Sequence, residues 1–329
     1  MKVTNLGNTN IKVSRAGFGV LPIGPGQLTL PLDEGARIIC YGVSKGINFF
    51  DTAQYYRTYP YIKRAFEMMS EGGEFEELAP LAKELVISSK SMAETYDEMM
   101  EAIAQAQESL GREVIDIFLL HEVRPGQLDE RAGAWQALID AREKGTVRAI
   151  GLSTHHADIT ALAADIPQLD VVFPLINYAG LGIRWGNGPA TAEQMMDSIR
   201  KCKDAGKGIF AMKAFGGGNL TTTYQKALDF VFSQPEIDSV MIGFGSTSEI
   251  DDLLNYMSGS MPKDYNPDTS HKKIHINQGD CMGCGACKAR CPNGAIFYNK
   301  NGLAEIDQSS CLTCGYCSFA CPVRAIIMY

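Results

Sequence analysis

Short apolar runs alternate with longer amphipathic stretches between residues 13 and 257. A run of about four to eight apolar residues is typical of a buried strand, and an apolar stripe with helical period is typical of a surface helix. The short runs predict eight strands at 16–20, 48–51, 86–89, 116–121, 149–153, 171–175, 208–213 and 239–243. The stretches between them predict helices such as 95–110, 133–144, 191–205 and 224–232.

The order of these elements predicts a closed α/β barrel. Strands that alternate with helices pair in parallel through right-handed crossovers. Eight such units in about 240 residues fit a (β/α)8 TIM barrel better than an open sheet. Residues 1–13 predict a hairpin that turns at Gly7-Asn8, ahead of the first barrel strand. We therefore expect residues 1–257 to form the barrel domain.

The composition changes after the last predicted helix. Residues 258–273 are rich in Ser, Pro, Lys and Asp and predict a linker. Eight of the ten cysteines follow, in a segment spanning residues 274–329. The pattern Cys-x2-Cys-x2-Cys-x3-Cys-Pro starts at Cys281 and again at Cys311, and both copies continue to a shared Ala-Ile. A repeat that extends beyond the cysteines predicts two halves of one small α+β fold.

The cysteine spacing predicts two iron–sulfur clusters. An iron–sulfur cube takes three thiolates from one loop and a fourth from elsewhere, and in the bacterial two-cluster arrangement the last Cys of each run binds the other cluster. This assigns Cys281, Cys284, Cys287 and Cys321 to one [4Fe–4S] cluster, and Cys311, Cys314, Cys317 and Cys291 to the other. The segment resembles bacterial-type two-[4Fe–4S] ferredoxins. Two alternatives stay open: zinc, which prefers paired Cys-x2-Cys motifs, and clusters that only stabilise a segment with little core.

Four ionisable side chains follow the ends of consecutive predicted strands, where catalytic groups of such barrels lie. They are Asp51, Tyr56, Lys90 and His121. An ammonium beside a phenol lowers the phenol's pKa, and a carboxylate holds that ammonium in place. An imidazole can donate to a carbonyl oxygen. The set therefore predicts proton donation to a polarised carbonyl, which suits hydride addition.

The motif Asp51-Thr52-Ala53-x-x-Tyr56, together with Lys90 and His121, resembles the aldo/keto reductase family over residues 1–256. The resemblance implies a (β/α)8 barrel and nicotinamide-dependent carbonyl reduction. It implies Tyr56 as general acid, Lys90 as modulator of its pKa, Asp51 as partner of Lys90 and His121 as substrate orienter. The whole chain resembles a subgroup with a C-terminal ferredoxin domain, found mainly in anaerobic bacteria and archaea.

The expected cofactor contacts depart in part from the family pattern. Ser153 is retained, Thr154 replaces an amide, and Asn177 lies near the position where Phe173 replaces a Gln. Lys213 precedes a glycine-rich loop, and a glycine turn follows the eighth strand. The loop is interpreted as a phosphate-binding loop, with a merely flexible loop as the alternative, and the turn is interpreted as another phosphate-binding turn. The residues concerned are Gly216, Gly217, Gly218, Gly243, Gly245 and Ser246.

The cofactor expected from these contacts is NAD(P)(H), with NAD favoured over NADP, because Glu249 stands where a cation would hold the 2′-phosphate. A hydride carries two electrons and each cluster accepts one, so coupling the two calls for a mediator such as FMN or FAD. Three functions stay open: a nicotinamide-linked carbonyl oxidoreductase, a flavin- or ferredoxin-linked reductase without nicotinamide, and an electron-transfer subunit of a larger complex.

Charge and hydropathy limit the partners. The formal net charge is −8, which disfavours nucleic acid. The sequence predicts no membrane span, because no apolar stretch approaches the required length. No signal peptide is evident, and we expect a cytoplasmic protein with reduced thiols. The expected partners are a small-molecule substrate and a redox partner protein.

Overall fold

Eight parallel strands close into a barrel in the computed structural model of the chain. The structure describes residues 1–268, 273–312, 315–323 and 325–328. In chain order its strands are β1 (Val3–Asn5), β2 (Lys12–Ser14), β3 (Ala16–Gly19), β4 (Phe49–Asp51), β5 (Val86–Ser91), β6 (Ile115–Leu120), β7 (Val147–Thr154), β8 (Val171–Pro174), β9 (Arg184–Trp185), β10 (Gly188–Pro189), β11 (Gly208–Ala211), β12 (Ser239–Gly243), β13 (Ile274–Ile276), β14 (Ile296–Tyr298), β15 (Ala304–Ile306) and β16 (Ile326–Met328).

The barrel order is β3-β4-β5-β6-β7-β8-β11-β12, with β12 pairing back to β3. The eight predicted strands are these eight, and the predicted barrel is confirmed. The seventh strand ends at Ala211, two residues earlier than predicted. Lys213 has φ +59°, a left-handed conformation that a strand does not contain.

Helices follow the barrel strands, as the sequence pattern predicts, and two more helices lie in the C-terminal segment. They are α1 (Leu32–Ser44), α2 (Tyr59–Met68), α3 (Ala79–Ala82), α4 (Tyr96–Leu110), α5 (Gln127–Glu130), α6 (Ala132–Glu143), α7 (Ala157–Ala163), α8 (Ala192–Asp204), α9 (Tyr224–Phe232), α10 (Thr247–Met257), α11 (Ala286–Arg290) and α12 (Tyr316–Ala320). Helices α4 and α8 begin one residue after the predicted start, because Thr95 and Thr191 are their N-caps. No helix among the described residues is long and apolar enough to cross a membrane.

The N-terminal end of the barrel is closed by apolar side chains. The antiparallel hairpin β1–β2 sends Leu6, Ile11 and Val13 into a cluster that includes Phe49 and Phe210. A larger apolar core fills the space between the strands and the surrounding helices. Because the lower end is packed, the open end lies where the strands finish at their carboxyl termini.

The C-terminal segment folds as two similar halves. Strand β13 pairs with β16, and β14 with β15, all antiparallel. Helix α11 follows Gly285 at φ +79°, and α12 follows Gly315 at φ +76°. The C-cap residues of the two helices are Cys291 and Cys321, whose backbone angles agree to within a few degrees. The sequence repeat is therefore also a repeat of backbone conformation.

Candidate functional site

The four side chains expected to be catalytic meet at the carboxyl end of the barrel. Asp51 is the last residue of β4, Lys90 lies in β5, and His121 follows β6. Tyr56 ends a short 3-10 helix, Gln54–Tyr56, in the loop after β4. Adjacent parallel strands present their ends at one rim, so side chains far apart in sequence become neighbours.

Lys90 and Asp51 form a buried ion pair. The Lys90 Nζ donates to both Asp51 carboxylate oxygens, at 2.8 and 2.7 Å, and to the Thr52 carbonyl at 2.7 Å. These three bonds use all three N–H groups of the ammonium. Burial lowers the pKa of Lys90 and raises the pKa of Asp51, while their mutual attraction opposes both shifts. With both partners only 1% and 6% exposed, each charge depends on the other.

Tyr56 and His121 face the same point. The Tyr56 Oη lies 3.4 Å from His121 Nε2, and the rings meet edge to face. The Lys90 Nζ lies 4.7 Å from the centroid of the Tyr56 ring, so the ammonium contacts the ring face. Burial raises the pKa of Tyr56 well above 10, with Asp51 adding to the effect. This direction is opposite to the one expected from an ammonium beside the hydroxyl, because desolvation dominates.

The imidazole of His121 is neutral in this setting. Burial lowers its pKa well below 6.5, and the positive charges of Lys90, Arg131 and Lys213 lower it further. Its Nδ1 is buried and has no hydrogen-bond partner among the described residues. A neutral imidazole and a protonated phenol can both hydrogen-bond to one carbonyl oxygen placed near them.

Arg131 is a positioning residue that the sequence did not reveal. Its guanidinium donates to the carbonyls of His121 and Ser91, both at 2.9 Å, and of Ala93 at 3.0 Å. The side chain is buried. It therefore ties together the segments that follow β5 and β6, which carry Lys90 and His121. No local motif marks an arginine that precedes α6 as different from a surface arginine.

The last two residues of β7, which were expected to contact a cofactor, have partners within the barrel rim. The Ser153 Oγ accepts the Glu122 N–H at 2.9 Å, and the Thr154 Oγ1 donates to the Val123 carbonyl at 2.6 Å. Both side chains are buried. These bonds hold the backbone of the loop after β6 in place, so Ser153 and Thr154 stabilise the conformation of the barrel rim.

Asn177 is also engaged internally. Its Nδ2 donates to the Leu181 carbonyl and its Oδ1 accepts the Leu181 N–H, both at 2.9 Å. Phe173 stacks on Phe210 at a centroid distance of 4.2 Å, and the Lys90 Nζ lies 5.2 Å from its ring. The position where an amide would hold nicotinamide is therefore aromatic and packed.

The glycine turn after β12 is covered by the chain itself. The Gly245 N–H donates to Glu249 Oε2 at 2.6 Å, and Ser246 caps α10 by accepting the Glu249 N–H. A Cβ at Gly243 would lie 2.6 Å from Pro22 Cγ. The Glu249 carboxylate, which was expected to discriminate between NAD and NADP, thus stabilises the turn that precedes it.

The other glycine loop, Gly216 to Gly218, follows Lys213 and lies against β16 of the C-terminal segment. Lys213 at φ +59° and Glu122 at φ +54° are left-handed non-glycine residues at the barrel mouth. Backbone strain of this kind persists only where the surrounding structure imposes it and is concentrated at functional sites.

The C-terminal segment reaches this mouth through Asp280. The Arg124 Nη2 lies 2.7 Å from Glu122 Oε1 and 3.5 Å from Asp280 Oδ1. Burial raises the pKa of Asp280 to about 6, against the opposing charge of Lys213. Ligand atoms of Glu122, His155 and Asp280 lie within 4.8 Å of one another. Arg124 already supplies the positive charge that a metal ion would bring there.

The first predicted ligand set comes together around Cys287. Its pKa is raised by burial and by the neighbouring thiols of Cys321 and Cys281. Backbone N–H groups point at two of these sulfurs: Gly283 to Cys281 at 3.5 Å, and Ala325 to Cys321 at 3.3 Å. Cys284 is exposed at the edge. Thiols supported by N–H···S bonds in an apolar shell suit an iron–sulfur cluster.

The second ligand set borders a small apolar pocket. Cys291, Cys311 and Cys317 line it, together with Ile274, Ile296 and other apolar groups. The Ala295 N–H donates to Cys291 Sγ at 3.2 Å. Cys314 lies outside the described residues. In both sets the last cysteine of one run lies with the other run, as the crossed assignment requires.

Comparison with known proteins finds separate matches for the barrel and for the C-terminal segment. Residues 16–229 match the sequence profile of the aldo/keto reductase family, and residues 273–322 match that of a 4Fe-4S dicluster domain. The first match covers more than half of the chain. The chain therefore belongs to the aldo/keto reductase family, and it is an oxidoreductase of that type with a C-terminal ferredoxin-like domain.

Individual relatives are distant. L-galactose dehydrogenase of Arabidopsis thaliana is 23% identical over 284 residues, which cover 75% of this chain and 85% of the plant enzyme. Methylglyoxal reductase DkgA of Escherichia coli O157:H7 is 25% identical, covering 68% and 78%. The solved structure of MGS-M4, an aldo-keto reductase enzyme from a Medee basin deep-sea metagenome library, superimposes with a TM-score of 0.58 at 17% identity. That match covers 81% of this chain and 92% of MGS-M4 and shows the shared fold.

Proposed function

We propose that the protein reduces, or in reverse forms, a small carbonyl compound at the barrel mouth, with electrons passing through two [4Fe–4S] clusters. One observation carries the proposal. Tyr56, His121 and the Lys90–Asp51 pair meet at the same mouth to which Asp280, the neighbour of a proposed cluster ligand, extends. This meeting of all four side chains also favours an enzyme over an electron-transfer subunit.

The residues have distinct parts in the proposed reaction. The carbonyl oxygen lies between Tyr56 Oη and His121 Nε2, which polarise it as negative charge develops. Tyr56 donates the proton to that oxygen. Asp51 holds the Lys90 ammonium against the face of the Tyr56 ring. Arg131 binds the backbone at the ends of β5 and β6 and so fixes their relative position. Each cluster, when bound, would supply or accept one electron, and a flavin would exchange these single electrons with the two-electron hydride.

NAD(H) is the proposed two-electron cofactor, and NADP(H) is disfavoured. The support is the carboxylate of Glu249 in α10, which contacts the turn after β12 and would repel a 2′-phosphate there. A redox partner protein would exchange electrons with the exposed side of the cluster domain, where Cys284 lies.

A second candidate function is a reductase that uses a flavin, FMN or FAD, or reduced ferredoxin, and no nicotinamide. The packed Phe173–Phe210 pair and the internally bonded Asn177 favour it. A flavin also resolves the mismatch between a two-electron hydride and one-electron clusters.

Anaerobic purification followed by cofactor extraction separates the two candidates. The proposal expects about eight irons per chain from two cubes. With NAD and a flavin present, it also expects reoxidation of chemically reduced clusters by methylglyoxal or by an aldose, read from the visible spectrum. Bound flavin with no effect of NADH would select the second candidate. Clusters that none of these carbonyl compounds reoxidises, with or without added flavin, would contradict both.

A further inference from the structure

The loop of residues 215–219, between β11 and the helical turn before α9, carries the C-terminal strand β16. The Met328 N–H donates to the Gly217 carbonyl at 2.7 Å. The Asn219 Nδ2 donates to the Ile326 carbonyl at 3.1 Å. These bonds join the barrel to the last strand of the cluster domain through its main chain.

Glycine is required here for a reason beyond backbone freedom. Gly217 and Gly218 have φ of +68° and +83°, which alone favours glycine. In addition, a Cβ at Gly217 would lie 2.9 Å from Ile327 Cγ2, and a Cβ at Gly218 would overlap the Met328 carbonyl. Both extra contacts are with β16, so the absence of a side chain allows the strand to approach.

The same loop reaches the helix that holds a proposed cluster ligand. The Asn219 Oδ1 accepts a hydrogen bond from the Ser318 hydroxyl, and Ser318 is buried beside Cys317 in α12. The Asn219 Nδ2 also donates to the Gly216 carbonyl at 2.7 Å. Asn219 is thereby held by its own loop while it binds the cluster domain.

We propose that residues 215–219 are a docking site for the iron–sulfur domain and that they do not bind a cofactor phosphate. A phosphate would have to approach Gly217 and Gly218 closely, and there β16 already presents its backbone, including the Met328 carbonyl oxygen, which repels an anion. The Arg124–Asp280 contact provides a second attachment after β6. Strands β7 and β8 separate the two attachments around the barrel, so together they fix the orientation of the domain.

The test compares two glycine variants of the full-length, cluster-loaded protein under anaerobic conditions. Hydrogen exchange is measured at the Met328 amide. Gly218→Ala is expected to lower its protection about tenfold, because the added methyl group displaces β16. Gly145→Ala is the matched control, since Gly145 has φ +77° and an added Cβ there would meet no atom of the described residues within 4 Å. Equal protection in the two variants would overturn the proposal.

Two further measurements keep the proposal testable if Gly218→Ala does not fold. Ser318→Ala removes only the hydroxyl that binds Asn219, and we expect Met328 protection to fall about threefold with both clusters retained. Unchanged protection would contradict the docking role. Adding NADH, NADPH or FMN to the unaltered protein is expected to leave protection unchanged. A loss of protection with any of them would identify the loop as a cofactor site. None of these readouts depends on turnover.

Discussion

The barrel and the cluster domain are held together by different interactions. The barrel has a continuous apolar core between its strands and helices, and a second group of apolar side chains packs inside the ring of strands. The fully buried core of the cluster domain is short and includes three thiols: Ile274, Ile276, Cys287, Ile296, Ala304, Cys317, Cys321, Ala325 and Ile326. So small a core does not offset the entropy of ordering the chain. The barrel therefore folds on apolar burial, whereas the cluster domain depends on metal ligation.

The same contrast extends to their polar groups. The buried charges of the barrel include the Lys90–Asp51 pair and Arg131, which donates to three carbonyls. In the cluster domain, the buried groups able to bind a metal are cysteine thiols. Damage to one part should therefore leave the other folded, and substitutions in each part test that independence.

Cys321→Ser should have the largest effect. It removes a proposed ligand of the first cluster, and the cluster domain should lose that cluster and its fold, because ligation free energy is folding free energy there. Iron and sulfide content measure the loss, and the thermal transition of the barrel should persist. Cys202→Ser, in the buried barrel position, should leave the iron content unchanged. Full iron content in Cys321→Ser would refute the assignment.

Tyr56→Phe should remove turnover and spare both clusters. Loss of a general acid costs about 10²- to 10⁴-fold in rate. Steady-state turnover and the cluster spectrum measure the two properties separately. The neighbour Tyr55, which is 75% exposed, provides the control Tyr55→Phe, whose turnover should match the unaltered protein. A Tyr56→Phe variant as active as this control would rule out the proposed proton donor.

Lys90→Met should destabilise the barrel by about 3–5 kcal/mol, because it leaves a buried carboxylate without its partner. Denaturant unfolding followed by circular dichroism measures the change. Burial raises the pKa of Asp51, so the folded variant binds this proton more tightly than the unfolded chain. Its stability should therefore rise as the pH falls.

Arg37→Met supplies the control for that measurement. Arg37 and Glu74 form an exposed pair at 2.9 Å, with both side chains 49% exposed. Such exposed pairs add little to stability, because water and salt screen them. A Lys90→Met variant that loses no more than Arg37→Met would show that the buried pair adds no stability to the barrel.

The smallest expected effect is on the pH profile of turnover. The pKa of His121 lies well below 6.5 and that of Tyr56 well above 10, both because of burial. His121 is therefore already deprotonated, and Tyr56 still protonated, between about pH 7 and 9. The rate should be flat across that range. A step that disappears in Tyr56→Phe or in a His121→Gln variant would show that one of these pKa values lies within it.

The amino-acid sequence was enough to predict the eight barrel strands, the four side chains at or just after their ends, and the two cysteine runs. Each of these features follows from the periodicity of apolar residues or from a short residue spacing, and both can be recognised within a single segment of the sequence. Three contacts became visible only in the tertiary structure. Arg131 binds the carbonyl of His121 at the barrel rim. Asp280 contacts Arg124, 156 positions away in the sequence, and Ser318 contacts Asn219, 99 positions away. The tertiary structure also decided that the glycine loop carries β16. Such contacts depend on how segments that are far apart in the sequence pack in space, and a local sequence pattern does not specify that packing.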